Sequence, residues 1–208
     1  MNYIENIFIC LTAPLIISVL CLRGKGRRQM LFVILGMLSS LLSAYVSTFI
    51  AGAQGADLLS ASMEISPLVE ELMKIFPVVF YVLVFEAGRE EITDSIMMIA
   101  IGFATFENAY YMTQSDSMGL IHLLIRGFGT GAMHVVCGYI IAIGLLRLWD
   151  KEWLRVAGTI ALLAVAISYH GIFNILVSQT GVAAFIGYVI PVFTTVLNLG
   201  FRSKIISK

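Results

Sequence analysis

The sequence predicts an all-α, polytopic membrane protein, a bundle of about seven transmembrane helices in a single domain. Three observations predict it. The 208 residues are 59% hydrophobic and 12% charged, with a mean hydropathy of +0.94, whereas soluble domains are roughly half apolar and a quarter charged. The apolar residues fall into seven runs, roughly 3–22, 30–53, 67–86, 95–112, 123–146, 156–177 and 181–200, each near the ~20 residues that cross a ~30 Å hydrocarbon core. The third observation is where the charge sits. Of 13 Lys and Arg, 11 lie in alternate connections or the tail: Arg23, Lys25, Arg27 and Arg28, then Arg89, then Arg147, Lys151 and Arg155, then Arg202, Lys204 and Lys208. With seven spans all of these face one side, and the positive-inside rule makes that side cytoplasmic, with the N-terminus outside and the C-terminus inside.

The first run is expected to be retained as a span, because Glu5 precedes its apolar core and the basic cluster follows it, the reverse of a signal peptide. The second is uninterrupted. The third opens with Glu70, Glu71 and Lys74, and the fourth carries Glu107 and Asn108 in its last turns. The fifth begins weakly, with Arg126, Gly127, Gly129 and Gly131 in its first turns, and carries His134; the sixth carries His170 and Asn174. The seventh is apolar up to its basic tail. Residues 1–208 read as one integral-membrane domain, with no room for a separate soluble enzyme and no sign of a nucleic-acid partner. Cys10, Cys21 and Cys137 lie in apolar runs without metal-like spacing and read as packed free thiols. Glu86, Glu90, Glu91 and Asp94 read as a solvated acidic loop, and His122 as incidental.

The polar residues inside the spans carry the chemistry. An ionisable group at mid-bilayer costs about 2.5–3.5 kcal/mol on insertion scales, so three within five residues must satisfy one another, meet polar partners or react. Lys74 lies four residues from Glu70 and three from Glu71, and can bridge both on one helix face. The expected topology places Glu70, Glu71 and Lys74, Glu107 and Asn108, His134, and His170 with Asn174 at one depth, about 5–15 Å below the outer surface. Glu107 reads equally as a counter-ion for Lys74 or as a working acid, Asn108 as a helix-packing hydrogen bonder, and His134 as a hydrogen-bonded core residue or a site residue. His170 and Asn174, four apart, can both donate to an oxygen or can join two helices.

The order EExxK (Glu70 to Lys74), FxxxE with a following Asn (Phe103 to Asn108), a His after a Gly/Ala-rich helix start (His134) and HxxxN (His170 to Asn174) resembles the PrsW family of intramembrane proteases, related to the CAAX prenyl endopeptidase and bacteriocin-processing (CPBP) superfamily. The resemblance spans residues 64–178, the expected catalytic core. It implies hydrolysis of a peptide bond in a single-pass membrane protein near the extracytoplasmic leaflet of the bacterial plasma membrane, the substrate being an anti-sigma factor in the first cut of a cascade. It implies Glu70 as the base that activates water, with Glu71 the alternative, Lys74 holding them, Glu107 or His134 orienting the water or passing a proton, and His170 with Asn174 as the oxyanion hole. Lys74 and Glu107 stand where the CAAX prenyl endopeptidases have an Arg one residue later and a His. A metal-free glutamate mechanism is expected; the alternative is a zinc held by His134, His170 and Glu107. Two rival functions use the same residues: an ion- or proton-coupled transporter, against which there is no inverted repeat, and a non-catalytic scaffold that binds a substrate helix.

Overall fold

The computed structural model describes residues 4–85, 87–114, 119–147 and 152–206, the side chains of Glu152, Arg155 and 199–206 excepted. Glu86, Lys151 and Lys208, and the side chains of Arg155, Arg202 and Lys204, therefore lie outside the described residues. Everything described is helix or short connection. Helices α1 (Ile4–Cys21) and α2 (Gly24–Gln54) are followed by a single turn α3 (Leu58–Ser60), a π-helical turn (Ala61–Ile65) and α4 (Ser66–Phe85). Then come α5 (Arg89–Thr113), α6 (Leu120–Arg147), α7 (Glu152–Val177) and α8 (Val182–Ile206). The long helices coincide with the seven apolar runs. Among the described residues, four stretches are long and apolar enough to cross a membrane by length and composition: α1, α2, α6 and Val156–Val177 of α7. The helices α4 and α5 are interrupted by ionisable groups, Glu70, Glu71 and Lys74 in the one and Arg89, Glu90, Glu91, Asp94 and Glu107 in the other, and the apolar stretch of α8, Val182–Asn198, is shorter.

Helix α6 is the axis of the bundle. Of its most apolar stretch 72% is buried, against 6% for α1, and it packs against α5, α7 and α8. On the other side α2 packs against α5, α1 and α4. The core joins Phe32 of α2, Ile75 and Val78 of α4, Ile96 and Ile99 of α5, Met133 and Ile141 of α6, and Ala166 and Phe173 of α7. Around it runs a belt of exposed apolar side chains, including Ile17, Phe49, Phe76, Phe80, Phe128, Ile160 and Phe185, as lipid contact requires.

The α2–α5 seam is the tightest in the bundle. A Cβ on Gly36 would lie 2.2 Å from the Ile99 carbonyl oxygen, and one on Gly102 would lie 2.1 Å from that of Val33. Both glycines let two backbones touch, the usual device of membrane helix pairs. At one end of the same seam Lys25 pairs with Asp94 at 2.8 Å and Glu90 at 3.4 Å, and Arg28 pairs with Glu91 at 2.5 Å. Glu90 keeps the exposure expected of a solvated acidic face, but with Glu91 and the buried Asp94 it also clamps α5 to α2. The glycines in α6 do not break it: a Cβ on Gly129 would lie 2.6 Å from the Tyr188 ring, so that glycine admits α8. Cys137 is buried, as expected, but Cys10 and Cys21 lie exposed rather than packed.

Candidate active site

Helix α4 divides its residues by face. Leu68, Leu72, Phe76, Phe80 and Leu83 point outward, while Pro67, Val69, Glu71, Lys74, Ile75 and Val78 are buried. The helical period therefore turns Glu71 and Lys74 inward. There Lys74 Nζ donates to Glu71 Oε1 at 2.6 Å and to His134 Nδ1 at 2.9 Å. An ammonium can only donate, so Nδ1 of His134 accepts, and the ring proton sits on Nε2. That Nε2–H donates to Glu107 Oε2 at 2.6 Å. Phe103 packs on this pair, its ring 4.9 Å from that of His134 and 5.0 Å from the Lys74 ammonium, a cation–π contact.

The second branch starts at Glu71. Its Oε1 also accepts the Nδ1–H of His170 at 2.8 Å. This leaves Nε2 of His170 free, 3.7 Å from Glu70 Oε2, itself buried without a hydrogen-bond partner. A lone pair and a carboxylate oxygen that face each other at this distance repel unless something electropositive lies between them: a proton, a water hydrogen or a metal cation. From Arg126 through Glu107, His134, Lys74 and Glu71 to His170 and Glu70, one chain of contacts links α6, α5, α4 and α7.

Glu70 and Glu107 also line a cavity of about 300 Å³. Helix α2 lines it with Ser40, Ser43, Ser47 and Thr48, and Phe106, Tyr110 and Arg126 are among its other lining residues. Of the two adjacent glutamates, Glu71 is fully buried, its Oε1 doubly engaged and its Oε2 without a partner, while Glu70 is less buried and lines the cavity.

The structure thus brings together Glu70, Glu71, Lys74, Glu107, His134 and His170. Asn108 reaches the cluster only through Arg126, whose guanidinium donates to its Oδ1, and otherwise donates to the Gly127 carbonyl at 3.4 Å. It joins α5 to α6, as a helix-packing residue would. Asn174 stands apart. Its amide donates to the Ser62 carbonyl at 2.8 Å, inside the π-turn that precedes α4. Gly171 lies against the same turn, its Cβ position 3.5 Å from the Met63 carbonyl oxygen. The HxxxN segment therefore meets the turn before α4 at two points, and one of the two amide hydrogens of Asn174 is spent there. Arg126, with Lys74 one of the two cations within spans and so available to Glu107, does pair with it at 3.4 Å; it also stacks on Tyr111, 3.4 Å from the ring centroid. His122 is exposed and outside the site.

The donor set suits a metal in part. Ligand atoms of Glu70, His134 and His170 lie within 4.8 Å of one another, and two imidazoles with a carboxylate form a catalytic zinc set. His170 already has the arrangement that metal-bound histidines adopt, one nitrogen held by a carboxylate and the other free. His134 must give up one of its two hydrogen bonds to join. Glu70 here takes the place expected of Glu107, which is engaged by His134 and Arg126.

Among known proteins, no curated protein and no solved structure matches the chain. A family model described as PrsW family intramembrane metalloprotease matches residues 27–199, a range that takes in every polar group of the cluster. The chain belongs to the PrsW family of intramembrane proteases, integral membrane proteins built from apolar helices of the kind found here.

Proposed function

We propose that the protein hydrolyses a peptide bond of a single-pass membrane protein, such as an anti-sigma factor, near the extracytoplasmic leaflet of a bacterial plasma membrane. The observation that carries the reading is the unpaired Glu70 Oε2 facing the free Nε2 of His170 at the edge of a cavity. A water held between these atoms gives its proton to Glu70 as its oxygen attacks the scissile carbonyl carbon. The C–O bond forms and the carbonyl π pair moves to oxygen, while the second O–H of the water donates to the Nε2 lone pair of His170, which Glu71 holds through Nδ1–H. Collapse breaks the C–N bond as the proton from Glu70 passes to the leaving amine. Glu107, on the same cavity and paired with His134, orients the water. Glu71 and Lys74 hold His170 and His134 in their tautomers, and Asn174 fixes the π-turn that leads into α4, the helix from which Glu70 projects.

A second reading is metal-assisted hydrolysis, favoured by the Glu70–His134–His170 set and by the family's description. A divalent ion held by those residues would supply Lewis-acid polarisation and a more acidic water. The outer location is supported by distance along the helices: Glu107 lies 16 residues, about 24 Å of helix rise, from the Glu91 clamp at the basic end. A transporter or scaffold would use the same charges without turnover.

The test is cleavage of a purified single-pass reporter, with the new termini mapped by mass spectrometry, with and without a chelator. The proposal expects one cut near the extracytoplasmic end of the reporter helix, insensitive to chelation. Loss on chelation that is restored by zinc selects the metal reading, and binding without any cut selects the scaffold.

A further inference from the structure

We infer that the serine face of α2, centred on Ser47, binds the unwound main chain of the substrate beside the scissile bond. The inference rests on the hydrolytic reading above and adds where the substrate lies. In apolar surroundings a serine or threonine hydroxyl in a helix donates back to a carbonyl three or four residues earlier. Ser43 does so to Ser40 at 2.8 Å, Thr48 to Ala44 at 2.7 Å, and Thr105 to Ile101 at 2.7 Å. Ser47 does not. Its side chain is buried, with 8% of the residue exposed, and its Oγ has no partner. It lines the same cavity as Glu70, whose Oε2 is likewise unpaired. Two buried polar atoms without partners on one cavity call for a polar occupant.

A peptide bond in a transmembrane helix is closed off by its own hydrogen bonds, so hydrolysis requires local unwinding. The bared N–H and C=O groups then need partners inside the bilayer. Ser47 offers a free O–H to a carbonyl, and Ser43 and Thr48 keep oxygen lone pairs for amide protons. The cavity of about 300 Å³ has room for about ten waters. That suits a short stretch of main chain with small side chains, and excludes an intact helix about 10 Å across. Glu70 and Glu107 line the same cavity as the serines, so a strand lying along α2 brings its carbonyl carbon to the hydrolytic pair.

The test uses full-length protein in nanodiscs and a single-pass reporter with an Ala/Gly-rich juxtamembrane segment. In a Glu70→Gln background, p-benzoylphenylalanine replacing Tyr110 on the cavity wall should crosslink to that segment on illumination. Ser47→Leu should cut the yield at least fivefold. In otherwise wild-type protein Ser47→Ala should raise KM about 3- to 10-fold, the effect of one lost hydrogen bond, more than it lowers kcat, with an unchanged melting temperature. No crosslink from the cavity, as for a space that holds only water, overturns the inference. So does a wild-type KM in Ser47→Ala together with undiminished crosslinking in Ser47→Leu. Crosslinking without any cleavage by the wild type would instead sink the hydrolytic reading and leave the binding surface standing.

Discussion

Glu70 and Glu71 are neighbours in sequence with opposite surroundings, and this separates their roles. Glu71 Oε1 holds both Lys74 and His170 in a space closed to solvent, whereas Glu70 lines the cavity and its Oε2 accepts no hydrogen bond. Removing one partner from a buried ion pair is destabilising by about 3–5 kcal/mol. Glu71→Gln is therefore expected to lower the melting temperature in detergent sharply, and the double variant Glu71→Gln, Lys74→Met to recover much of it without recovering cleavage. An unchanged melting temperature in Glu71→Gln would show that the pair is not the structural anchor described. The sequence made the membership of this cluster legible because an ion in a span must find a partner, and the partners were few. It did not make the pairings legible. Whether Asn174 reaches an oxyanion site or the Ser62 carbonyl depends on helix azimuth, which spacing along one helix does not set. Ser47 carried no signal at all, because a serine in a membrane helix is ordinary until its hydroxyl is seen to lack a partner.

Two elements, α2 and α5, meet through glycine at the middle and through charge at one end. A side chain at Gly102 has backbone against it, not a flexible neighbour, so Gly102→Leu must force the helices apart. A loss of at least the 1–3 kcal/mol typical of overpacking is expected, read as a fall in melting temperature and in the monodisperse fraction. Gly52→Leu, with open space around its Cβ, serves as the tolerant control. At the charged end, Glu91 precedes the apolar run of α5, and its hydrogen bond from Arg28 holds its carboxyl below the usual value of 4.5. A lowered folded-state value contributes stability that is complete above the unfolded value and is lost as pH falls through the folded one. The melting temperature of wild type should thus exceed that of Glu91→Gln at neutral pH, and the gap should close below about pH 4.5. A gap that widens in acid would contradict the clamp. Helix existence was legible from apolar runs, but the ends were not: α5 starts at Arg89 and not near 95, because a charged first turn continues the helix once α2 supplies its counter-charges. The π-turn before α4 had no signature, since it is held by Asn174 from 112 residues away.

At the scale of the whole molecule, the alternation of basic and uncharged connections sets the expected orientation, and the site lies toward the end away from the basic clamp. Single cysteines at Gly55 and Thr180, in a background without Cys10, Cys21 and Cys137, should react with a membrane-impermeant maleimide on intact cells. A cysteine at Gly88 should react only after lysis. The reverse pattern would move the site to the cytoplasmic half and end the extracytoplasmic assignment. What the bundle achieves is to carry groups from four helices to one cavity, and the most direct test is turnover at that cavity. Purified wild type and Glu70→Gln are compared on the same single-pass reporter, with melting temperatures measured in parallel. The account predicts a fall in cleavage rate of at least 10²-fold, the range for loss of a general base, at an unchanged melting temperature. Cleavage by Glu70→Gln within a few-fold of wild type would contradict it.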